Sequence, residues 1–307
     1  MHETLTAAVA IGGLVCAVVA IVLIQRRYRR LRKRIDRLER RGNELLHIVK
    51  SLEAQSMALR VSKQQSEVRM PMVCRATGGE DLWLLELFNP PGARVRTDGF
   101  YIECGGFDGL NKSVTWMFDA LGWNGLLIEP LPHLAEAARQ NRPNARVVQA
   151  AVAERGSTGT AKFVHVAGEE LGFEGSSHLA GAGEGSVKRA PMDGAKETQV
   201  PLTCMDVLLK DHSGPIDLVV LDVEGAEPRV LDGLDLNRFR PRVLLIEDHT
   251  LGSDGDRSEI MRRLGPAGYR HITWIGRNRL VIHGDEAALI ARAGDLAQAS
   301  AVRRAVG

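Results

Sequence analysis

The chain has 307 residues, a formal net charge of +2 and 44% hydrophobic residues, enough for one large α/β domain with an appendage. The near-neutral total hides two unlike parts: up to Arg75 there are 15 Lys/Arg against 6 Asp/Glu, and beyond it 25 against 32. An acidic body argues against nucleic acid as a partner, and four cysteines at 16, 74, 104 and 204 are too scattered for a disulfide framework or a zinc site, so they read as free thiols in a reducing compartment.

Ala7 to Ile24 carry no charge and are almost wholly apolar, close to the minimum length that spans a bilayer. The cationic residues, from Arg26 to Arg34, follow this stretch rather than precede it. That order fits an uncleaved anchor better than a signal peptide and places the remaining chain in the cytoplasm. Residues 1–25 are thus expected to form a single-pass transmembrane helix. The basic run also suits anionic lipid headgroups. Leu31, Leu38, Leu45, Leu52 and Leu59 then recur every seven residues, with Ile35, Gly42, Val49 and Ser56 at the alternate seam positions. This pattern predicts a short two-stranded parallel coiled coil within 26–60, and with it a homodimer. Residues 61–75, polar and containing Pro71, read as a linker.

The domain proper is expected over 76–284. A helical pattern covers Glu80 to Phe88 and stops before Pro90-Pro91. Phe100 to Cys104 reads as a buried strand that breaks at Gly105-Gly106-Phe107-Asp108-Gly109. A helix from Ser113 to Leu121 and a strand from Leu126 to Glu129 follow. Strand, glycine turn, helix, strand and terminal acid make the nucleotide-binding half of a doubly wound sheet, in which glycines admit a ligand to the backbone and the acid holds ribose hydroxyls. The third glycine of the dinucleotide fingerprint is missing, and Asp108 stands where it would repel a pyrophosphate. Glu103 and Asp108 suit a ligand carrying an amine and a sulfonium, which points to S-adenosylmethionine.

Further along, a helix is expected from Leu134 to Gln140 and strands at Ala145 to Gln149, Lys162 to Ala167 and Glu197 to Leu202. The Gly- and Ser-rich stretch Gly168 to Ala195 reads as a lid or insert. Met205 to Lys210 is predicted helical, with Thr203 as its N-cap. The strongly apolar strand Ile216 to Leu221 runs into Asp222-Val223-Glu224-Gly225-Ala226-Glu227, and Arg242 to Ile246 runs into Glu247-Asp248-His249. In an open α/β sheet ligands bind outside that strand edge. A helix from Ser258 to Leu264, strands Tyr269 to Ile275 and Arg279 to His283, and a helical tail over 285–307 complete the chain.

Phe100 to Gly109 resembles the first motif of the FkbM-type S-adenosylmethionine-dependent methyltransferases, and Leu221 to Glu227, continuing to Gly233, resembles that family's most telling signature. Glu80-Asp81-Leu82-Trp83 and Asn141-Arg142-Pro143-Asn144-Ala145 are similar to it too, so the resemblance spans roughly Glu80 to His283. Cys104 and Gly106 depart from it, standing where the family more often has an aliphatic residue and Ala.

The resemblance implies a Rossmann-like, seven-stranded class I methyltransferase sheet. Glu103 and Gly105 would border the methionine portion of the cofactor, with Asp108 and Gly109 completing the turn. Glu129 would take the ribose hydroxyls, and Ala150 would lie by the adenine. Asp222 would face the methyl group and the acceptor, expected to be a hydroxyl on a sugar, glycolipid or related small or lipid-linked metabolite. A hydroxyl acceptor needs a base, for which the candidates are His249 and Asp222, then Glu224 and Glu227. Asp222, Glu224, Glu247 and Asp248 could together hold Mg²⁺ through oxygen ligands, although no spacing motif demands a metal. Two other readings stay open: an NAD-dependent enzyme on the same topology, and a membrane-tethered adaptor whose methyltransferase fold is catalytically silent.

Overall fold

The computed structural model describes residues 48–59, 73–166, 178–179, 195–248 and 258–306, with isolated positions at 27, 34, 38, 41–42, 45, 71 and 250. The expected membrane anchor, most of the basic run and His249 lie outside the described residues. Among the described residues, no helix is long and apolar enough to cross a membrane.

The chain divides into two units, Met1–Val49 and Lys50–Gly307. The second therefore begins well before Ala76. Its first helix, α1 (residues 50–59), buries Ala54 and Ala58, and Ala54 and Cys74 belong to the main core. The other helices are α2 (Glu80–Phe88), α3 (Trp116–Ala120), α4 (Pro132–Asn141), α5 (Met205–Leu208), α6 (Glu227–Asp232), α7 (Glu259–Leu264) and α8 (Ala287–Val306). The tail helix α8 packs on α2 and on the sheet, so it too belongs to this unit.

Seven strands form the main sheet: β1 (Phe100–Cys104), β2 (Asn124–Ile128), β3 (Ala145–Val148), β8 (Leu218–Leu221), β9 (Val243–Glu247), β10 (Tyr269–Ile275) and β11 (Asn278–His283). Their order is β10-β11-β9-β8-β1-β2-β3. The pairs from β3 through β9 are parallel, and β11 runs antiparallel to both of its neighbours. The sequences of β1, β8 and β9 explain why they lie at the centre. They are short apolar runs without polar alternation, as strands covered on both faces require. Side chains alternate between two cores. Tyr101, Val220 and Leu245 pack under α2, α3 and α8, while Ile102, Cys104, Val219, Leu221 and Leu244 pack under α5, α6 and α7.

A second, smaller sheet, in the order β4-β7-β5-β6, joins β4 (Ala151–Ala153), β5 (Thr160–Val166), β6 (His178–Leu179) and β7 (Ala195–Cys204). Its core of Phe107, Leu131, Leu134, Phe163, Leu179 and Val200 seals it against the glycine turn and α4. Ala150-Ala151-Val152 thus leaves the main sheet instead of extending β3. Part of the expected 168–195 loop is strand β6, paired with β5 through Phe163↔Leu179, and its last residue, Ala195, opens β7; residues 168–177 and 180–194 lie outside the described residues.

Two local expectations fail for physical reasons. The helix expected from Ser113 starts only at Trp116, because Ser113, Val114 and Thr115 donate hydrogen bonds to Glu103 instead of entering the helical ladder. Thr203 does not cap α5. It pairs with Val152 inside the small sheet, and Cys204 takes the N-cap position without a side-chain hydrogen bond.

Candidate functional site

The chain runs from β1 to β2 and β3 on one side of the sheet, then returns through β8 and β9 on the other. The carboxyl ends of β1 and β8 therefore flank the point where the winding reverses, and a crevice opens there. Two backbone turns build it. Gly105 ends β1 at φ +83, and a Cβ at that position would stand 1.8 Å from the Asp222 carbonyl oxygen. Only glycine lets the β1 and β8 turns approach so closely. The N–H groups of Gly105 and Gly106 both donate to the Ile128 carbonyl, at 3.0 and 3.2 Å. The Asp222 N–H donates to the Cys104 carbonyl at 3.1 Å, so both turns are tied to the strand ends.

The predicted cofactor-binding residues separate into two groups. Gly105, Glu129, Ala150 and Asp222 line the main cavity together with Gly106, Phe107, Asn111, Lys112 and Glu224, a space of about 840 Å³ including its open mouth. Asp108 and Gly109 do not line it. Asp108 accepts hydrogen bonds from the N–H groups of Leu110 and Asn111 at 2.9 and 2.7 Å and from the Asn111 side chain at 2.6 Å, fixing the turn from within. Gly109, at φ +76, lies where a Cβ would stand 3.0 Å from Ala138 and Arg142.

Glu103 does not line the main cavity. Its buried carboxylate accepts from Ser113 Oγ, Val114 N–H, Thr115 Oγ1 and the fully buried Arg142 guanidinium, the last at 2.9 Å. It holds the start of α3 beneath the turn and reaches only a smaller cavity, shared with Lys112 and Asp222.

Glu129 closes β2 facing the turn. The N–H groups of Phe107 and Leu131 each donate to one of its oxygens at 3.0 Å, which aims the carboxylate, and a carboxylate has acceptor capacity beyond two donors. Ala150, Ala151, Val152, Phe163 and Leu179 supply an apolar wall. Phe163 and Leu179 were not legible as site residues, because their proximity depends on the fold of the small sheet.

The acids after β8 and β9 meet at the other end. Glu224 sits at φ +58, a conformation that costs about 1–2 kcal/mol outside glycine. Glu227 turns back and accepts from the Val223 N–H at 2.9 Å and from the Gly225 N–H, so it shapes the loop and does not line the cavity. Asp222, Glu227 and Glu247 each place an oxygen within 4.8 Å of the others. Burial, then the charge on Glu224 and Glu227, pushes Glu247 up to about 7, and burial likewise raises Glu227 to about 7. Asp222 is exposed and lines the cavity. Partial desolvation by the surrounding protein, followed by repulsion from Glu247 and Glu224, raises it above the ordinary aspartate value. Carboxylates this close relieve their repulsion by sharing a proton or by taking up a cation. Asp248 is spent elsewhere, in a buried ion pair with Arg279 at 2.7 Å.

The donor set therefore offers acceptors at one end, an apolar wall between, and acids at the other. It fits a nucleoside bearing positive charge and disfavours a diphosphate.

Comparison with solved structures gives low likeness. The O-methyltransferase TomG from Streptomyces achromogenes, in complex with SAM, is 14% identical with TM-score 0.38, over 80% of this chain and 97% of that one. A TehB-like SAM-dependent methyltransferase from Corynebacterium glutamicum is 13% identical with TM-score 0.32, over 67% and 86%. The C-terminal domain of precorrin-6Y C5,15-methyltransferase from Rhodobacter capsulatus is 14% identical with TM-score 0.34, over 71% and 94%. Curated protein sequences give no match. Residues 103–271, more than half of the chain and the part that carries both turns and every acid of the crevice, match the methyltransferase FkbM domain, and the chain belongs to that family.

Proposed function

We propose that the protein is an O-methyltransferase acting on a hydroxyl of a sugar, glycolipid or related metabolite, held at the cytoplasmic face of a membrane. The methyl donor of an FkbM methyltransferase is S-adenosylmethionine. In the proposed pose its ribose hydroxyls meet Glu129, its adenine lies against Ala150 and Phe163, and its sulfonium points toward Asp222.

The observation that carries the reading is the carboxylate group of Asp222, Glu224 and Glu247 at the acceptor end. A sulfonium is a strong electrophile, so positioning supplies most of the acceleration. The acceptor oxygen attacks the methyl carbon in line, the sulfur–carbon bond breaks, and neutral S-adenosylhomocysteine leaves. The hydroxyl proton passes to Asp222, whose affinity for protons is raised by desolvation and by repulsion from Glu247 and Glu224, as a general base near neutral pH requires.

Incubating the full chain in native membranes with methyl-labelled S-adenosylmethionine tests this. The label is expected in a lipid or saccharide fraction, in an alkali-stable ether. Asp222→Ala is expected to bind the donor within about threefold of wild type while losing at least about 100-fold in transfer. Donor binding with no transfer by the wild type would favour the silent adaptor. Uptake of a nicotinamide nucleotide instead would overturn the cofactor.

The anchor and the coil belong to the same proposal. The uncharged stretch Ala7 to Ile24 with its following basic run supports a single cytoplasm-facing span. The heptad leucines support pairing of two copies.

A further inference from the structure

The crevice is rich in acid, whereas the methionyl arm of S-adenosylmethionine carries a carboxylate as well as an amine and a sulfonium. Glu129, Asp222 and Glu224 line the cavity and can answer only positive charge or hydroxyls. Left facing them, the carboxylate would be repelled. Among the described residues lining the cavity, one is a cation: Lys112.

Its placement is built. Lys112 follows the turn that Asp108 clamps through Leu110 and Asn111, and its own backbone is left-handed at φ +59, a conformation rare for a side chain of this kind. The ammonium stands 5.6 Å from the centre of the Phe107 ring, itself on a left-handed residue at φ +51. Lys112 borders both the main cavity and the smaller one beside Glu103, Gly105 and Asp222. A ligand whose ribose is at Glu129 and whose sulfonium is near Asp222 carries its methionyl arm onward from the sulfur, and beside Asp222 the space is bordered by the Gly105 turn and this lysine.

We propose that Lys112 takes the α-carboxylate of the cofactor's methionyl arm, and that this ion pair is what makes the site prefer the amino-acid-bearing nucleosides over the truncated thioadenosine. The inference rests on the cofactor reading above. It concerns binding rather than the chemical step.

Calorimetry on the full chain, with S-adenosylhomocysteine and 5′-methylthioadenosine as the two probes, tests it. The second probe keeps the adenosine and the sulfur but lacks both the amine and the carboxylate. Lys112→Met is expected to weaken S-adenosylhomocysteine about 10–30-fold and to leave 5′-methylthioadenosine within about twofold, and Lys112→Arg to recover most of the loss. Equal losses for both probes would assign Lys112 to the shape of the turn and overturn the proposal, as would no loss for either. A wild type that binds neither probe would overturn the cofactor reading and this inference with it. A wild type that binds both while Lys112→Met behaves like it would overturn this inference alone.

Discussion

Close approach at the switch point depends on single backbone positions. Gly105 lets the β1 turn lie against the Asp222 carbonyl, and that contact sets how far Asp222 stands from anything held by Glu129. The acids gathered there have a measurable thermodynamic signature. Glu227 and Glu247 titrate near 7 in the fold against 4.5 for an unperturbed side chain, so between those pH values the folded chain holds more protons than the unfolded one. Stability is therefore full below about 4.5, falls as pH rises through that window and remains lowered above about 7. Thermal denaturation is expected to show a melting temperature that declines from pH 5 to pH 8. Glu247→Gln, which cannot ionise, is expected to flatten that decline and to melt higher than wild type at pH 8. A slope unchanged in the variant would show that Glu247 does not carry the effect.

Between elements, the buried network under the glycine turn is the joint that keeps the crevice in shape. Arg142, at the C-terminus of α4, reaches Glu103 on β1, Thr115 at the start of α3, Ser113 and the Gly109 carbonyl, and it contacts the Tyr101 hydroxyl at 3.1 Å. A buried ion pair of this kind adds little net stability, but removing one partner strands the other charge. Arg142→Met is expected to cost about 3–5 kcal/mol in urea denaturation. Adding Glu103→Gln to that variant is expected to recover part of the loss, because it removes the stranded carboxylate. If the double variant is no more stable than the single one, the cost comes from packing rather than from charge. Asn141-Arg142-Pro143 was legible as a family-like segment, yet nothing in its spacing announced a guanidinium buried beneath the site.

At the scale of the whole chain, the described heptad leucines are exposed. Within Lys50–Gly307, Ala54 and Ala58 are buried while Leu52 and Leu59 are 58% and 59% exposed. Leu38 and Leu45, in Met1–Val49, are 68% and 64% exposed. Leucines repeating every seven residues form a seam that a second helix of the same repeat fills, knob into hole. The pattern also offers Arg34 and Glu39 at flanking positions of opposite charge, where parallel copies can pair. Sedimentation of the full chain in detergent is expected to give a dimer. Leu45→Glu with Leu52→Glu is expected to give a monomer whose melting temperature lies within a few degrees of wild type, since exposed positions contribute little to the fold. A wild type that sediments as a monomer at micromolar concentration would remove the coil from the account.

The main sheet and its switch point were readable in advance because buried parallel strands need unbroken apolar runs and their ends need glycine or acid. Such requirements leave marks on consecutive residues, as in Phe100 to Gly109 and Ile216 to Glu227. The same local chemistry made Glu129, Gly105 and Asp222 recognisable. Glu103 and Asp108 looked like ligands for the same reason, and only folding turned their carboxylates inward onto Arg142, Ser113 and the Asn111 amide. Phe163, Leu179, Lys112 and the place of Glu227 beside Asp222 and Glu247 belong to the tertiary structure alone. Sequence determined which strand ends carry charge, because hydrophobic burial acts along a segment; which of those charges face a ligand was decided by contacts between segments distant in the chain, which no local pattern records.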